Sequence, residues 1–155
     1  MRGFTLIEIS ISVAIFAILA ALISLNAVKP IIDTELSAAV AQIKNTFFEA
    51  RVKSMTGFAE SGSTAAKFGV FFDSTSFTLF QAPYSAGAGT NFVSTLSSGY
   101  TFSSVTFPSS QIIFTKLIGE VESFSSGQNT LIIQNTQTGL SKTMTIYKSG
   151  VIEVQ

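Results

Sequence analysis

Arg2-Gly3-Phe4-Thr5-Leu6-Ile7-Glu8 stands at the head of a run, Ile9 to Val28, that contains no charged residue. A helix of about 20 residues spans about 30 Å, the thickness of a hydrocarbon core. Ser10, Ser12, Ser24 and Asn26 fall within the run without spoiling it, because hydroxyls bond back to helix carbonyls. Glu8 is the anomaly. A charged side chain at a bilayer centre costs about 2.5 to 3.5 kcal/mol on insertion scales, so a carboxylate heading such a segment calls for a partner and a function.

Three readings fit the segment. A signal-anchor helix accounts for the length and for Arg2 on the cytoplasmic side, but gives Glu8 no role. A signal peptide cut after its apolar region needs small residues at the cleavage site, and Leu25-Asn26-Ala27 fits poorly at the first of them. The third reading rests on a family. Gly3-Phe4-Thr5-Leu6-Ile7-Glu8 resembles the leader junction of type IV prepilins and type II secretion pseudopilins, in which a short basic leader ends in Gly before an aromatic residue and a Glu follows four residues later.

The resemblance implies cleavage by a prepilin peptidase between Gly3 and Phe4, N-methylation of Phe4, and a mature chain that keeps its apolar helix. Cleavage would free an ammonium on Phe4 one helical turn from the Glu8 carboxylate. In a filament the resemblance implies that Glu8 of an incoming subunit meets the Phe4 amine of a neighbour. Two costly charges would then be neutralised only when the subunits are in register, which makes the pair a device for alignment more than for stability.

The run ends at Lys29-Pro30. Pro30 lacks an amide donor and crowds the carbonyl of Asn26, so the sequence predicts either a kink at Pro30 or the end of one helix and the start of another. Beyond it, Leu36, Val40, Ile43, Phe47, Ala50 and Met55 recur at helical spacing, with charged residues on the other faces. Glu49 and Lys53 form an i,i+4 pair in the favourable order. Gly57 is a C-cap candidate, and Glu60 to Thr64 reads as a loop.

From Ala66 onward the pattern shifts to short β-branched and aromatic runs broken by Gly, Ser, Pro and Asn. Strands are predicted over 67–72, 77–81, 100–107, 111–115, 130–134, 142–147 and 151–154. Lys148-Ser149-Gly150 reads as the turn of a closing hairpin, and 82–98 as a long loop or ragged edge. The fold class expected is α+β: a long N-terminal helix, transmembrane in its first half and amphipathic in its second, packed on a C-terminal antiparallel β-rich domain. The expected division is leader 1–3, membrane or filament-core helix 4–29, amphipathic helix 30–57 and β-rich domain 66–155. This layout resembles the GspH/FimT branch of the pilin superfamily, on Glu49-Ala50-Arg51, Phe68 to Phe72, Ile112-Ile113-Phe114 with Gly119, and the strand-turn-strand from Ile146 to Val154.

The 155 residues hold nine basic and nine acidic side chains, no Cys and no His. Thiol chemistry, disulfides, imidazole acid/base catalysis and the usual zinc sites are therefore out of reach. Gly87-Ala88-Gly89 lacks the third glycine of a dinucleotide loop, where Phe92 stands instead. Glu120, Glu122 and Asp73 are not the clustered run that calcium needs. No catalytic residue, metal or cofactor is expected. Past the helix the basic residues are Lys67, Lys116, Lys142 and Lys148, too few to favour a nucleic-acid partner. No charge occurs from Ser74 to Thr115, which fits a buried sheet with neutral loops or an uncharged contact surface.

The resemblance implies a structural subunit, a pilin or pseudopilin of the minor kind, in a type IV pilus-like or type II secretion filament. Its alternative is a major pilin, or a minor pilin acting as a binding module in DNA uptake, adhesion or contact with a secreted substrate. The partners implied are prepilin peptidase, other pilin subunits, the inner-membrane assembly platform and, before assembly, membrane lipid. The location implied is the cytoplasmic membrane, then a periplasmic or extracellular filament.

Overall fold

A computed structural model describes residues 5–57 and 66–155, the side chains of 22–31 excepted. Gly3 and Phe4, the bend at Pro30 and the loop expected over 60–64 lie outside what it describes. The backbone of 6–56 is one helix, α1 (Leu6–Thr56), so Pro30 does not separate two helices. Gly57 follows it at φ 69°, the left-handed conformation that closes a helix without a Cβ penalty.

The chain divides into two compact units, 1–35 and 36–155. In the first, the described side chains of α1 are exposed on every face, from Leu6 through Leu19. Ser10 Oγ donates to the Leu6 carbonyl and Ser12 Oγ to that of Glu8, as expected for hydroxyls in an apolar helix. Among the described residues no helix is long and apolar enough to cross a membrane. The run expected to do so, Ile9 to Val28, extends past the last described side chain, Ala21.

The second unit is α+β. Its eight strands are β1 (Phe68–Phe72), β2 (Ser76–Gln81), β3 (Phe92–Thr95), β4 (Tyr100–Val105), β5 (Gln111–Ile113), β6 (Thr130–Asn135), β7 (Ser141–Ile146) and β8 (Ile152–Val154). They form two antiparallel four-stranded sheets, ordered β3-β2-β1-β5 and β4-β6-β7-β8. Seven of the strands fall where the sequence predicted them. The eighth, β3, lies within the stretch expected to be a loop: Phe92-Val93-Ser94-Thr95 is strand-forming by composition, but the glycines before it mask the signal.

α1 contributes Leu36, Val40, Ile43, Phe47, Ala50 and Ser54 to the core. Their spacings of four and three residues in alternation describe one stripe, and continuing it leads to Ser54. The expectation that Met55 completes the stripe is corrected: Met55 is exposed. Ser54 Oγ accepts a hydrogen bond from the Phe68 amide at 2.8 Å, which satisfies a buried backbone donor as β1 begins. Phe47 packs on Phe72 and, edge-on, on Phe114, while Phe72 meets Phe102 and Phe107 and so ties the sheets together.

The opposite face of the first sheet is also covered. Tyr84, three residues past the end of β2, stacks on Phe71 at 4.2 Å and meets Phe80 edge-on at 5.0 Å. Phe80 and Thr78 are buried beneath it. Gly69 makes room for this layer: a Cβ there would come within 2.3 Å of the Ile112 carbonyl oxygen and 2.8 Å of the Phe80 ring. The run Phe77-Thr78-Leu79-Phe80 is therefore buried on both faces of the strand.

Candidate functional site

The first described turn of α1 is a reciprocal cap. Thr5 lies just before the helix and Glu8 three residues on, the spacing at which each side chain reaches the other's backbone amide. Glu8 Oε2 accepts from the Thr5 amide and from Thr5 Oγ1, both at 2.8 Å. In return Thr5 Oγ1 accepts from the Glu8 amide at 3.4 Å, and the Thr5 carbonyl takes the amides of Glu8 and Ile9. The carboxylate thus satisfies an amide that the start of a helix leaves without a partner, and sits where the helix dipole favours negative charge.

This arrangement adds to the sequence reading of Glu8. The sequence left Glu8 seeking a charged partner on Phe4; the structure shows two neutral donors on Thr5 already holding one oxygen. The pattern Thr5-x-x-Glu8 before an apolar run is the signal that identifies such a cap, and it is overlooked when Glu8 is read only as a charge. Gly3 and Phe4 lie outside the described residues, so the geometry of the site begins at Thr5.

Elsewhere several of the ionisable groups pair within the fold. Lys67 bonds Glu122, Lys148 stands 3.8 Å from Glu120, and Lys53 meets Glu49 at 3.0 Å as the sequence predicted. Asp73 Oδ1 accepts from the Ser74 amide, and Lys142 Nζ donates to Ser37 Oγ. Glu120 and Glu122 engage different lysines. Among the described residues no three carboxylates converge on a point that could hold a cation. Gly87 and Gly89 lie in turns before β3, with no helix following to receive a phosphate.

A half-open cavity of about 200 Å³ lies between β5 and the 121–129 segment. Its walls are Phe, Ile and Val side chains with a rim of Ser, Gln and Asn, and its one carboxylate, Glu122, is engaged by Lys67. That lining supplies no nucleophile paired with a base.

Arg51, singled out in sequence, works within the fold. Its Nε donates to the Gly119 carbonyl at 3.0 Å, and its side chain lies alongside Gly150 in the turn of the β7–β8 hairpin. That hairpin closes as expected: the Gly150 amide donates to the Tyr147 carbonyl and the Tyr147 amide to that of Val151.

Comparison with known proteins points to the same end of the chain. No curated protein matches the sequence and no solved structure matches the fold. Residues 1–24 match the family model of the prokaryotic N-terminal methylation motif, which spans the Gly3-Phe4 junction, the Thr5–Glu8 cap and most of the uncharged run. The matched motif supports a type IV pilin-like prepilin N-terminus and implies processing by prepilin peptidase and assembly with other pilins.

Proposed function

We propose that the chain is a non-enzymatic structural subunit of a type IV pilus-like or type II secretion filament, a minor pilin or pseudopilin of the GspH/FimT kind. Prepilin peptidase cuts it between Gly3 and Phe4, Phe4 is N-methylated, and Ile9 to Val28 holds it in the cytoplasmic membrane until an assembly platform moves it into the filament. The observation that carries this reading is the methylation motif over residues 1–24, set directly on a helix that presents large apolar side chains on all faces. Such a helix requires an apolar surround at every stage, first lipid and then like helices. The two four-stranded sheets after α1 agree with the GspH/FimT layout.

In this scheme Glu8 has two successive partners. The Thr5 donors hold the carboxylate ready at the head of the helix. Docking then brings a neighbour's Phe4 ammonium to it, which fixes the register. Glu8→Ala is expected to leave membrane insertion intact and to reduce incorporation.

Mass spectrometry of the mature chain is the test, together with its recovery in sheared filaments. A chain beginning at methylated Phe4 and recovered with filaments is the expected result. An intact Met1, or a cut after Ala27, refutes the proposal. A second reading, a minor pilin whose domain binds a partner, draws on the charge-free stretch from Ser74 to Thr115, which brings the exposed Phe92 and Val93 to the edge of the first sheet.

A further inference from the structure

The edge of β5 is left half paired beside the cavity that it shares with the 121–129 segment. On one side β5 pairs with β1: Ile112 stands opposite Val70, and the Phe114 amide donates to the Phe68 carbonyl. Alternation along an antiparallel ladder then turns the Ile113 amide and carbonyl, with the Gln111 carbonyl, to the other side. There the 120–122 segment begins to cover them. The Thr115 amide donates to the Glu120 carbonyl and the Glu122 amide to the Ile113 carbonyl, both at 2.8 Å, with Phe114 bridged to Val121. The next bond of that ladder, from the Ile113 amide to the Glu122 carbonyl, is not formed.

Ser123 stands at φ 53°, and left-handed backbone does not continue a strand. The chain leaves the edge there. Among the described residues the Ile113 amide thus has no acceptor and the Gln111 carbonyl no donor. Ser109 and Ser110, at φ 54° and 53°, turn the chain in the same way before β5. Ser109 and Ser123 both line the cavity. Left-handed conformations are uncommon outside glycine, and they gather where a ligand is held.

The cavity and the open edge suit one residue of a peptide. A cavity of about 150 Å³ with Leu, Ile and Phe walls admits benzene, whereas drug-sized ligands need about 300 Å³ or more. A volume of about 200 Å³ therefore takes one ring and little else. Phe107, Ile112, Val121 and Ile146 wall it, and its one carboxylate, Glu122, is engaged by Lys67. An uncharged ring is selected. A residue laid parallel to β5 opposite Ile112 would donate its amide to the Gln111 carbonyl and accept from the Ile113 amide. Residues paired in a sheet point to the same face, so its side chain would follow that of Ile112 into the cavity.

We infer that this edge and cavity bind an extended, uncharged segment of a partner protein, added as a strand parallel to β5 with one Phe- or Tyr-sized side chain in the cavity. The site lies wholly within the second unit. It goes beyond the filament reading and does not rest on it.

The test titrates the full chain in mild detergent micelles with acetyl-Ser-Thr-Phe-Thr-Ser-amide, followed by amide NMR and hydrogen exchange. Saturable binding is expected. Exchange at Ile113 should slow at least about tenfold, while that of Ile112, already bonded to β1, stays as it was. Replacing the peptide's Phe by Ala should weaken binding at least about tenfold. N-methylation of that Phe, which removes the donor to Gln111, should weaken it about fivefold. No saturable binding, undiminished binding of either altered peptide, or protection at the β3 edge in place of Ile113 would each overturn the inference. So would p-cresol binding as tightly as the peptide, which marks a pocket for small aromatic molecules. None of these outcomes bears on maturation at Phe4, so the filament reading stands or falls separately.

Discussion

The two halves of α1 are one continuous helix with opposite surfaces. Over Leu6 to Ala21 every described side chain is exposed, Phe16 at 76%. Over Leu36 to Thr56 one stripe is buried, Phe47 at 1%. The chemistry of the two phenylalanines is the same; the pattern around them differs. Apolar residues on all faces leave no polar side to turn to water, so the first half depends on a surround that the chain does not itself provide. Apolar residues at alternating spacings of four and three leave a polar face, so the second half can close a water-soluble core. The helix thus folds the domain with its second half, while its first half presents the apolar surface on which the proposed assembly rests.

The largest expected effect tests this contrast directly. Phe47→Ala removes a ring packed on Phe72 and Phe114 and should cost about 3 to 5 kcal/mol of unfolding free energy. Phe16→Ala should change the same quantity by no more than about 0.5 kcal/mol. Denaturant unfolding of the full chain in mild detergent, followed by near-UV absorbance, measures both. Comparable losses at the two positions would mean that the halves are not the independent structures described.

Next in size is the end of the buried stripe. Ser54→Ala leaves the Phe68 amide without its acceptor inside the core and is expected to cost about 1 to 3 kcal/mol. Exposed Met55→Ala should cost less than about 1 kcal/mol. The reverse order in urea midpoints would return Met55 to the core position that a looser reading of the period assigned it.

How much of this was legible depends on how far each signal reaches along the chain. The uncharged run, the core stripe through Ala50 and seven strands are local patterns, visible because period and composition decide them. Ser54 was legible in principle from its spacing but is a polar residue in a core, which only its bond to Phe68 explains. Tyr84 was not legible: it covers Phe71 and Phe80 from a loop, and no periodicity marks a loop residue that folds back onto a sheet. At the N-terminus Glu8 stood out by its charge. Its partner Thr5 was missed because a threonine is unremarkable until the three-residue spacing is read as a cap. The exposed apolar ridge on α1 was hidden for the opposite reason, since Phe48 and Val52 look like ordinary members of an amphipathic helix until burial shows that they face away from the core.

A smaller effect sharpens the contrast at the head of the helix. Thr5→Ala removes one half of the reciprocal cap, a threonine cap being worth about 1 kcal/mol to a helix in general. The second unit contains neither residue, so its unfolding should not change. Amide exchange at Glu8 and Ile9 in micelles is expected to accelerate, while that of Phe68 stays as it was. Faster exchange at Phe68 would show that the two units are coupled through the helix, contrary to their description as separate.

The smallest expected effect lies on the closing hairpin. Tyr147 OH donates to Glu153 Oε2 at 2.6 Å across the β7–β8 turn. That bond to a carboxylate, with the negative charge of Glu153 beside it, holds the phenol above its ordinary value of 10.0. A phenol raised in the folded state favours the neutral form, so its contribution to stability is complete below the unfolded value and is lost as the pH rises through the folded one. The window is therefore alkaline, beginning near 10.0, and the chain at neutral pH retains the whole contribution. Both groups are solvent-exposed, which keeps the effect small. Difference absorbance between the unsubstituted chain and Tyr147→Phe isolates this phenol from Tyr84 and Tyr100, and its step should come later than that of a free tyrosine. In Glu153→Gln the step should move back toward the ordinary value, because the charge is gone although a hydrogen-bond acceptor remains. An unmoved step in that variant would show that the carboxylate is not the cause, and that the hairpin's register, more than its one ionic contact, determines how β8 is held at the edge of the sheet.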